Sequence, residues 1–310
     1  MAIRDLKDRL AGQVMFIFCL LILVLAFFII FGIYKRAEPI FAGHSFSSLF
    51  FSSEWRPSEG KFGLLGFISG TLWVTLIAVI IAVPMSLLAA IYLTEYAHKN
   101  VRAALRPPID LLSGISPVIF GVWGIVVVVP FVRDVIIPFA DKYLKFPPFL
   151  TENYTGFSAL SAGIVLSVMV FPIIVSVAIE VLDSVPREVR HVSLSLGATN
   201  WQTVKHTVLK KAAPGIIAAV ILGFSRAFGE TMAVLMVAGC SLQQVPHSPF
   251  DAAYPLPVFI ANTYGEMMSI PLYDSAVFLA AFILLILTAL FNVAGWAILI
   301  RAGKEEAYFG

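Results

Sequence analysis

The chain has 310 residues, of which 59% are hydrophobic and 13% are charged, and its mean hydropathy is +0.92. Soluble domains are about 45–50% apolar and about 25% charged, so this composition excludes a soluble globular protein and indicates a membrane protein with several spans. The net charge of +2 comes from scattered residues, with no basic face of the kind that binds nucleic acid.

Six stretches with few or no charged residues are each long enough to cross a bilayer, which takes about 20 residues of helix. In chain order, the predicted spans are Val14–Ile33, Phe62–Thr94, Leu111–Val132, Asn153–Ile179, Ala212–Gly239 and Ser275–Ile300. Pro84 and Pro172 lie inside the second and fourth spans and are expected to bend or break those helices. The sequence therefore predicts an all-α membrane protein with six transmembrane helices.

The Lys and Arg residues of the connections are divided unevenly between the two sides of the membrane. The side that carries both termini holds 13 of them, and the opposite side holds 7. Cytoplasmic connections carry the excess of positive charge in membrane proteins. We therefore expect both termini, and the connection from Glu180 to Gly215, to lie in the cytoplasm.

That cytoplasmic connection shows apolar residues at roughly helical spacing on both sides of Gly197. A glycine permits the positive φ that a tight turn between two short helices requires. A short amphipathic helix here would either lie on the membrane surface or fit a groove on a partner protein. Its spacing alone does not choose between these two interpretations.

Arg226 and Glu230 are the only charged residues within the fifth predicted span. A charge at the bilayer centre costs about 2.5–3.5 kcal/mol on insertion scales, so such residues face a polar cavity or each other. A spacing of four residues would place both side chains on one helix face. One interpretation is an ion pair that packs two helices together. The other, which we favour, is an anion site in a transport path, where the Arg guanidinium binds two oxygens of an oxyanion.

The Glu180–Gly215 connection resembles the EAA loop of ABC-transporter permeases, whose pattern is EAA, three residues, Gly, nine residues and I-x-L-P. Gly197 and Leu209 fall in register with this pattern, whereas His191, Thr207 and Lys210 replace its Glu, Ile and Pro. The resemblance implies that the connection is a coupling helix that contacts an ATPase subunit. The residues implied in that contact are Glu188, His191, Ser193, Gly197, Ala198, Trp201 and Leu209.

Two further segments are similar to phosphate-specific transport permeases. SRAFGETMAV, at Ser225–Val234, resembles that family's R-x-x-G-E-T segment, and SGISPVIFGVWG, from Ser113 onward, resembles its P-S-[VI]-V-[YF]-G-x-W-G segment. Met-Ala-Val after Gly-Glu-Thr is closer to the C-type subunit than to the A-type. The resemblance covers roughly residues 64–301 and implies the type I ABC importer permease fold.

This resemblance implies a permease subunit that moves inorganic phosphate across the bacterial cytoplasmic (inner) membrane. The partners it implies are an A-type second permease, two ATPase subunits and an external phosphate-binding protein. ATP and Mg would be bound by the ATPase, because this chain has no Gly-x-x-x-x-Gly-Lys-[Ser/Thr] loop. We therefore expect no cofactor and no enzymatic activity in this chain. A permease for another oxyanion (sulfate, molybdate or phosphonate) and an intramembrane lipid-phosphate enzyme are the alternatives.

The expected substrate path combines the guanidinium with hydroxyl groups that donate and accept hydrogen bonds. Its residues are Arg226, Glu230, Thr231, Ser225, Ser113 and Ser116. Glu230 would either accept a hydrogen bond from a protonated phosphate oxygen or act as the displaceable counter-ion of Arg226, and we favour the counter-ion role.

The expected organisation has three parts. Residues 1–61 form an N-terminal cytoplasmic segment, the first span and an outer loop. Residues 62–301 form the transmembrane core with its coupling loop at about 180–215, and residues 302–310 form a cytoplasmic tail.

Overall fold

The computed structural model describes residues 2–143, 153–242, 245–266, 269–270 and 272–309, with side chains described between residues 10 and 301. Within these residues the chain is mostly helical. The helices are α1 Ala2–Ala37, α2 Ile40–Gly43, α3 Phe46–Phe50, α4 Leu65–Ile91, α5 Lys99–Ser113, α6 Pro117–Trp123, α7 Val129–Phe131, α8 Ile137–Tyr143, α9 Ala159–Ser184, α10 Arg187–Ser195, α11 Asn200–Thr203, α12 Leu209–Phe228, α13 Met232–Val237, α14 Leu256–Thr263 and α15 Tyr273–Phe309.

Short elements extend or connect these helices. Five-residue π-helical turns lie at Tyr92–Tyr96, Gly124–Val128, Val132–Ile136 and Val204–Val208. The strands β1 Trp55–Arg56 and β2 Lys61–Phe62 pair antiparallel, with Trp55 opposite Phe62. The turn between them ends at Gly60, whose φ of +72° suits a residue without a side chain.

Six helical segments of the described chain are long and apolar enough to cross a membrane, as predicted. They are Leu10–Gly43, Leu65–Tyr96, Pro117–Tyr143, Ala159–Ser184, Asn200–Phe228 and Tyr273–Arg301. Neither Pro84 nor Pro172 ends its helix, so the expected break does not occur at either proline.

The third span is displaced from its predicted position. It begins at Pro117 rather than Leu111, because Ser116 is extended and proline is favoured in the first turn of a helix. The predicted first residues of the span instead complete α5, which has no buried residue. The span also runs past Val132 to Tyr143, and in this extension Arg133 pairs with the adjacent Asp134 at 2.7 Å.

Helices α4 and α9 form the centre of the fold, and glycines allow their close packing. A Cβ at Gly163 of α9 would lie 2.5 Å from Ile77 of α4, and one at Gly223 of α12 would lie 2.5 Å from Ile174 of α9. Ser86 donates a hydrogen bond across the α4–α9 contact to the Phe171 carbonyl at 3.3 Å. Helices α4, α9 and α12 therefore form one continuous packed layer.

Aromatic residues join the connections that precede α4 and α15 to this core. The ring of Trp55 lies 4.8 Å from that of Phe259 and 5.6 Å from that of Phe67. Helix α14, which carries Phe259, also bonds to α4, because the backbone N–H of Leu256 donates to Thr71 Oγ1 at 2.8 Å. Helix α1 packs on α15, and at the end of α1 Arg36 lies 3.6 Å from Asp274 at the start of α15.

Candidate anion site and coupling loop

The apolar run that contains Arg226 is two helices rather than one. Helix α12 ends at Phe228 and α13 begins at Met232, so the expectation of a single fifth span from Ala212 to Gly239 is wrong. Gly229 ends α12 with φ −95° and ψ 2°, and the chain resumes a helix only after Thr231. Broken helices at membrane depth are found where the backbone is buried in protein or lines a cavity.

The break separates the two charged residues that the sequence placed on one helix face. Both side chains are described, and no ion pair within 4.0 Å joins Arg226 to Glu230 among the described contacts. Glu230 Oε1 instead accepts the backbone N–H groups of Met232 at 3.2 Å and Ala233 at 3.5 Å. The first N–H groups of a helix have no partner within that helix, so the carboxylate of Glu230 stabilises the start of α13. Arg226 is exposed on the surface of the chain.

Helix α6 lies beside α13 and runs in the same direction. A Cβ at Gly121 would lie 3.3 Å from Ala233 Cα, and one at Gly124 would lie 2.8 Å from Val237. This register places the start of α6, after Ser116, level with the start of α13, after Thr231. The tertiary structure thus brings together the two segments that carry the family resemblance.

The four predicted hydroxyl residues of the path are in different environments. Ser116 is exposed and Thr231 is half-buried, both at the helix starts just described. Ser225 Oγ lies 2.6 Å from Asn292 Oδ1 of α15 and 2.9 Å from the Ile221 carbonyl, so this hydroxyl joins two helices. Ser113 is exposed and donates to the Asp110 carbonyl within α5 at 2.7 Å.

The Glu180–Gly215 connection has the predicted two helices and turn. Gly197 adopts φ +85°, and a Cβ there would have no atom within 4 Å. Helix α11 begins with a capping box, in which Thr199 Oγ1 accepts the Gln202 N–H at 3.3 Å and the Gln202 side chain accepts the Thr199 N–H at 2.9 Å. Positive φ at Gly197 and the capping box together fix the angle between α10 and α11.

The predicted coupling residues are divided between the surface and the interior. The exposed ones are Glu188, His191, Gly197 and Trp201. Ser193, Ala198 and Leu209 are half-buried; Ser193 Oγ lies 3.0 Å from Thr203 Oγ1, and Leu209 packs inside the protein. Two apolar side chains that the predicted set omits are more exposed than Trp201, which is 50% exposed: Val192 is 62% and Leu196 is 83% exposed.

Comparisons with known proteins identify the family. The family model for the binding-protein-dependent transport system inner membrane component matches residues 82–298. The phosphate transport system permease protein PstC of Xylella fastidiosa (strain 9a5c) is 35% identical, across 98% of this chain and 95% of its own length. The chain belongs to this family, in the branch of the phosphate transport permeases. It is therefore a permease subunit of an ABC transporter and not an enzyme.

A second relative and a solved structure extend the comparison. The probable ABC transporter permease protein YqgH of Bacillus subtilis (strain 168) is 34% identical to this permease, over 92% of this chain and 88% of its own. A bacterial alginate ABC transporter in complex with an alginate pentasaccharide-bound periplasmic protein matches with a TM-score of 0.60 and 17% identity, covering 90% of this chain and 92% of that chain. The permease therefore has the type I ABC importer fold, which implies ATPase and binding-protein partners.

Sequence reasoning missed two contacts of this permease. One is Asn292, the acceptor for Ser225. The other is the ion pair between Glu95 and Arg190 at 2.8 Å, in which the side chains are 12% and 18% exposed. Glu95 lies in the π-helical turn Tyr92–Tyr96 that ends the second span. An acidic residue at that position indicates a cationic partner, but only the fold shows which one.

Proposed function

We propose that this permease imports inorganic phosphate across the cytoplasmic membrane as one subunit of an ATP-driven transporter, with Arg226 as the residue that contacts the anion. The observation that carries this proposal is an exposed arginine one turn before a break in a membrane helix. The family membership and the phosphate transport relatives support the choice of substrate.

Arg226 cannot face lipid without cost, since a central arginine costs about 2.5–3.5 kcal/mol on insertion scales. Its exposure in the single chain therefore favours a polar cavity, whose other wall comes from a second permease. Phosphate at neutral pH is a mixture of monoanion and dianion and holds its water tightly. A guanidinium replaces part of that water with two parallel N–H donors, and the hydroxyls of Ser116 and Thr231 add weaker hydrogen bonds.

The other predicted path residues take supporting roles in this proposal. Glu230 caps α13 instead of neutralising Arg226, so the cationic site keeps its charge when phosphate arrives. Ser225 holds α12 against α15 and thereby sets the depth of Arg226. Ser113 lies within α5, next to the path rather than in it.

The remaining parts of the transporter follow from the family resemblance. The second permease is an A-type homologue, two ATPase subunits hold ATP and Mg, and an external protein delivers phosphate. Both termini and the α10–α11 connection face the cytoplasm, where the exposed Val192, Leu196 and Trp201 provide the apolar contact with the ATPase. The transmembrane core occupies residues 62–301, with the first span outside it and residues 302–310 as a tail.

The test is phosphate uptake by the complete transporter in proteoliposomes supplied with binding protein and MgATP. A hydrogen bond to a charged group contributes about 1.5–3 kcal/mol, so Arg226→Gln should reduce uptake by about 10-fold to about 140-fold. Arg226→Lys should also be impaired, because an ammonium lacks the planar fork. Arg56→Gln, in the outer loop, is the matched control and should transport normally.

Two outcomes would contradict the proposal. If Arg226→Gln assembles and transports like the unaltered protein, the arginine does not contact the substrate. If the charge-swapped double variant, Arg226→Glu with Glu230→Arg, restores both yield and uptake, the two residues act as a structural ion pair. Uptake of sulfate or molybdate in preference to phosphate would instead reassign the substrate.

A further inference from the structure

One arginine of the coupling loop reaches back into the transmembrane core. Arg190, on α10, pairs with Glu95 in the π-helical turn that ends the second span, with Nη2 2.8 Å and Nε 3.2 Å from Oε1. The same guanidinium donates to the carbonyls of Leu182 at 2.9 Å and Val185 at 2.5 Å, at the end of α9. A single side chain thus joins α10 to the cytoplasmic ends of two spans.

Apart from the chain itself, which joins α9 to α10 through Val185 and Pro186, this pair is the main side-chain attachment of α10. No residue of α10 is buried, and the helix is otherwise bonded through Ser193, whose Oγ lies 3.0 Å from Thr203 Oγ1. Arg190 and Glu95 are only 18% and 12% exposed, so their attraction is weakly screened by solvent. The carbonyls at the end of α9 also need donors, because the last four of any helix have no partner within that helix.

The attached spans lead directly to the helix that carries Arg226. The second span, α4, packs along α9 through Gly163 and Ile77, and α9 packs on α12 through Ile174 and Gly223. These contacts are tight, because an added methyl group at either glycine would overlap its neighbour. A displacement of α10 relative to the membrane is therefore passed to α4 and α9 and from them to α12.

We propose that the Arg190–Glu95 pair is the connection through which movement of the ATPase-bound α10 is transmitted to the transmembrane helices. Both are positioning residues: neither contacts phosphate, ATP or, by its burial, the ATPase. Without the pair, α10 would still dock, but it would lose its bond to Glu95 at the end of the second span, and only the short connection of Val185 and Pro186 would join it to α9. This inference rests on the proposed function, since it requires that α10 bind an ATPase subunit.

The experiment compares variants of the full transporter in proteoliposomes. Arg190→Gln and Glu95→Gln each remove one charge, and the apolar double variant Arg190→Met with Glu95→Met removes both while keeping the volume. The double variant guards against failure to fold, because replacing a buried ion pair by apolar residues is often neutral or stabilising. Arg187→Gln is the control, since Arg187 is exposed on the same helix and has no ion pair among the described residues.

The measured quantity is ATP hydrolysed per phosphate imported, together with complex yield. We expect the apolar double variant to assemble with its ATPase and hydrolyse ATP, while the ratio of ATP to phosphate rises at least tenfold and uptake falls correspondingly. Arg187→Gln should leave this ratio unchanged. If the pair has only a structural role, the single variants should give a lower yield of complex. The ratio of ATP hydrolysed to phosphate imported should then be unchanged in every complex that assembles.

An unchanged ratio in the assembled apolar double variant would overturn the inference. So would a ratio that rises equally in Arg187→Gln. Failure of the proposed function looks different, because the unaltered transporter would then not import phosphate at all, or α10 would not bind the ATPase.

Discussion

Substitution of Gly197 is the sharpest test of the coupling loop. The effect of its backbone conformation and the effect of its surroundings can be measured separately. The φ of Gly197 is +85°, in the left-handed region, where a residue with a Cβ is destabilised by about 1–2 kcal/mol. Asn and Asp are destabilised less than other residues there. A Cβ there would meet no atom within 4 Å, so the free loop has room for a side chain. Strain alone therefore predicts only a small effect for Gly197→Asn.

Gly197→Asp should behave differently once α10 docks against a partner. The residue lies next to Leu196, which is 83% exposed, and near Trp201, which is 50% exposed. A carboxylate carried into an apolar interface without a partner costs about 3–5 kcal/mol, which corresponds to a weakening of ATPase binding of about 140-fold to about 4000-fold. Asn has the same size as Asp and tolerates the same φ, so comparing Gly197→Asn with Gly197→Asp isolates the contribution of the charge.

The assay is co-purification of the permease with its ATPase subunit, followed by phosphate uptake in proteoliposomes. We expect Gly197→Asp to lose the ATPase or to hydrolyse ATP without uptake, and Gly197→Asn to retain most of both activities. If Gly197→Asp binds the ATPase and transports like the unaltered permease, the turn does not enter the interface. Equal loss in both variants would show that backbone strain, rather than the charge, is responsible.

The remaining predictions concern topology, the helix break and the α12–α15 contact. Positions 58, 104 and 247 are all exposed, so the side of the membrane decides whether a cysteine there reacts. In a variant without its native cysteines, Ser58→Cys and His247→Cys should react with an impermeant thiol reagent added outside, and Ala104→Cys should not. The reverse labelling pattern would invert the orientation. Glu230→Ala removes a helix cap worth about 1 kcal/mol, so amide exchange in the first turn of α13 should accelerate about fivefold, whereas unchanged exchange would show that the cap is unimportant. Asn292→Leu removes an interhelical hydrogen bond worth about 0.6 kcal/mol, so it should lower stability in detergent slightly and reduce uptake less than Arg226→Gln does.

Several features were predictable from the sequence because they depend on local chemistry. Long apolar stretches without charges identify spans wherever they occur, since a bilayer imposes the same length on every helix that crosses it. The turn at Gly197 was predictable for a similar reason, because glycine is the residue that most readily adopts positive φ. The two segments with the family resemblance were also recognisable without any knowledge of the fold.

Other features required the tertiary structure. The sequence from Ala212 to Gly239 has the composition of one span, and hydropathy does not distinguish a continuous helix from two helices joined at Gly229. The close packing of α13 beside α6, where a Cβ at Gly121 would lie 3.3 Å from Ala233 Cα, is likewise visible only in the fold. The prediction placed the start of the third span too early because Leu111 is apolar. In the structure Leu111 belongs to the amphipathic helix α5, which ends at Ser113, and the span begins at Pro117.

The amino-acid sequence by itself determined the number of spans, the position of the coupling turn and the family, because hydrophobicity, backbone freedom and short motifs are properties of neighbouring residues. Tertiary structure alone decided the contacts between groups that lie far apart in the chain. Arg190 pairs with Glu95, which is 95 residues away, and Ser225 bonds to Asn292, which is 67 residues away. Electrostatic and hydrogen-bond partners depend on distances in space, and only the packed fold sets those distances.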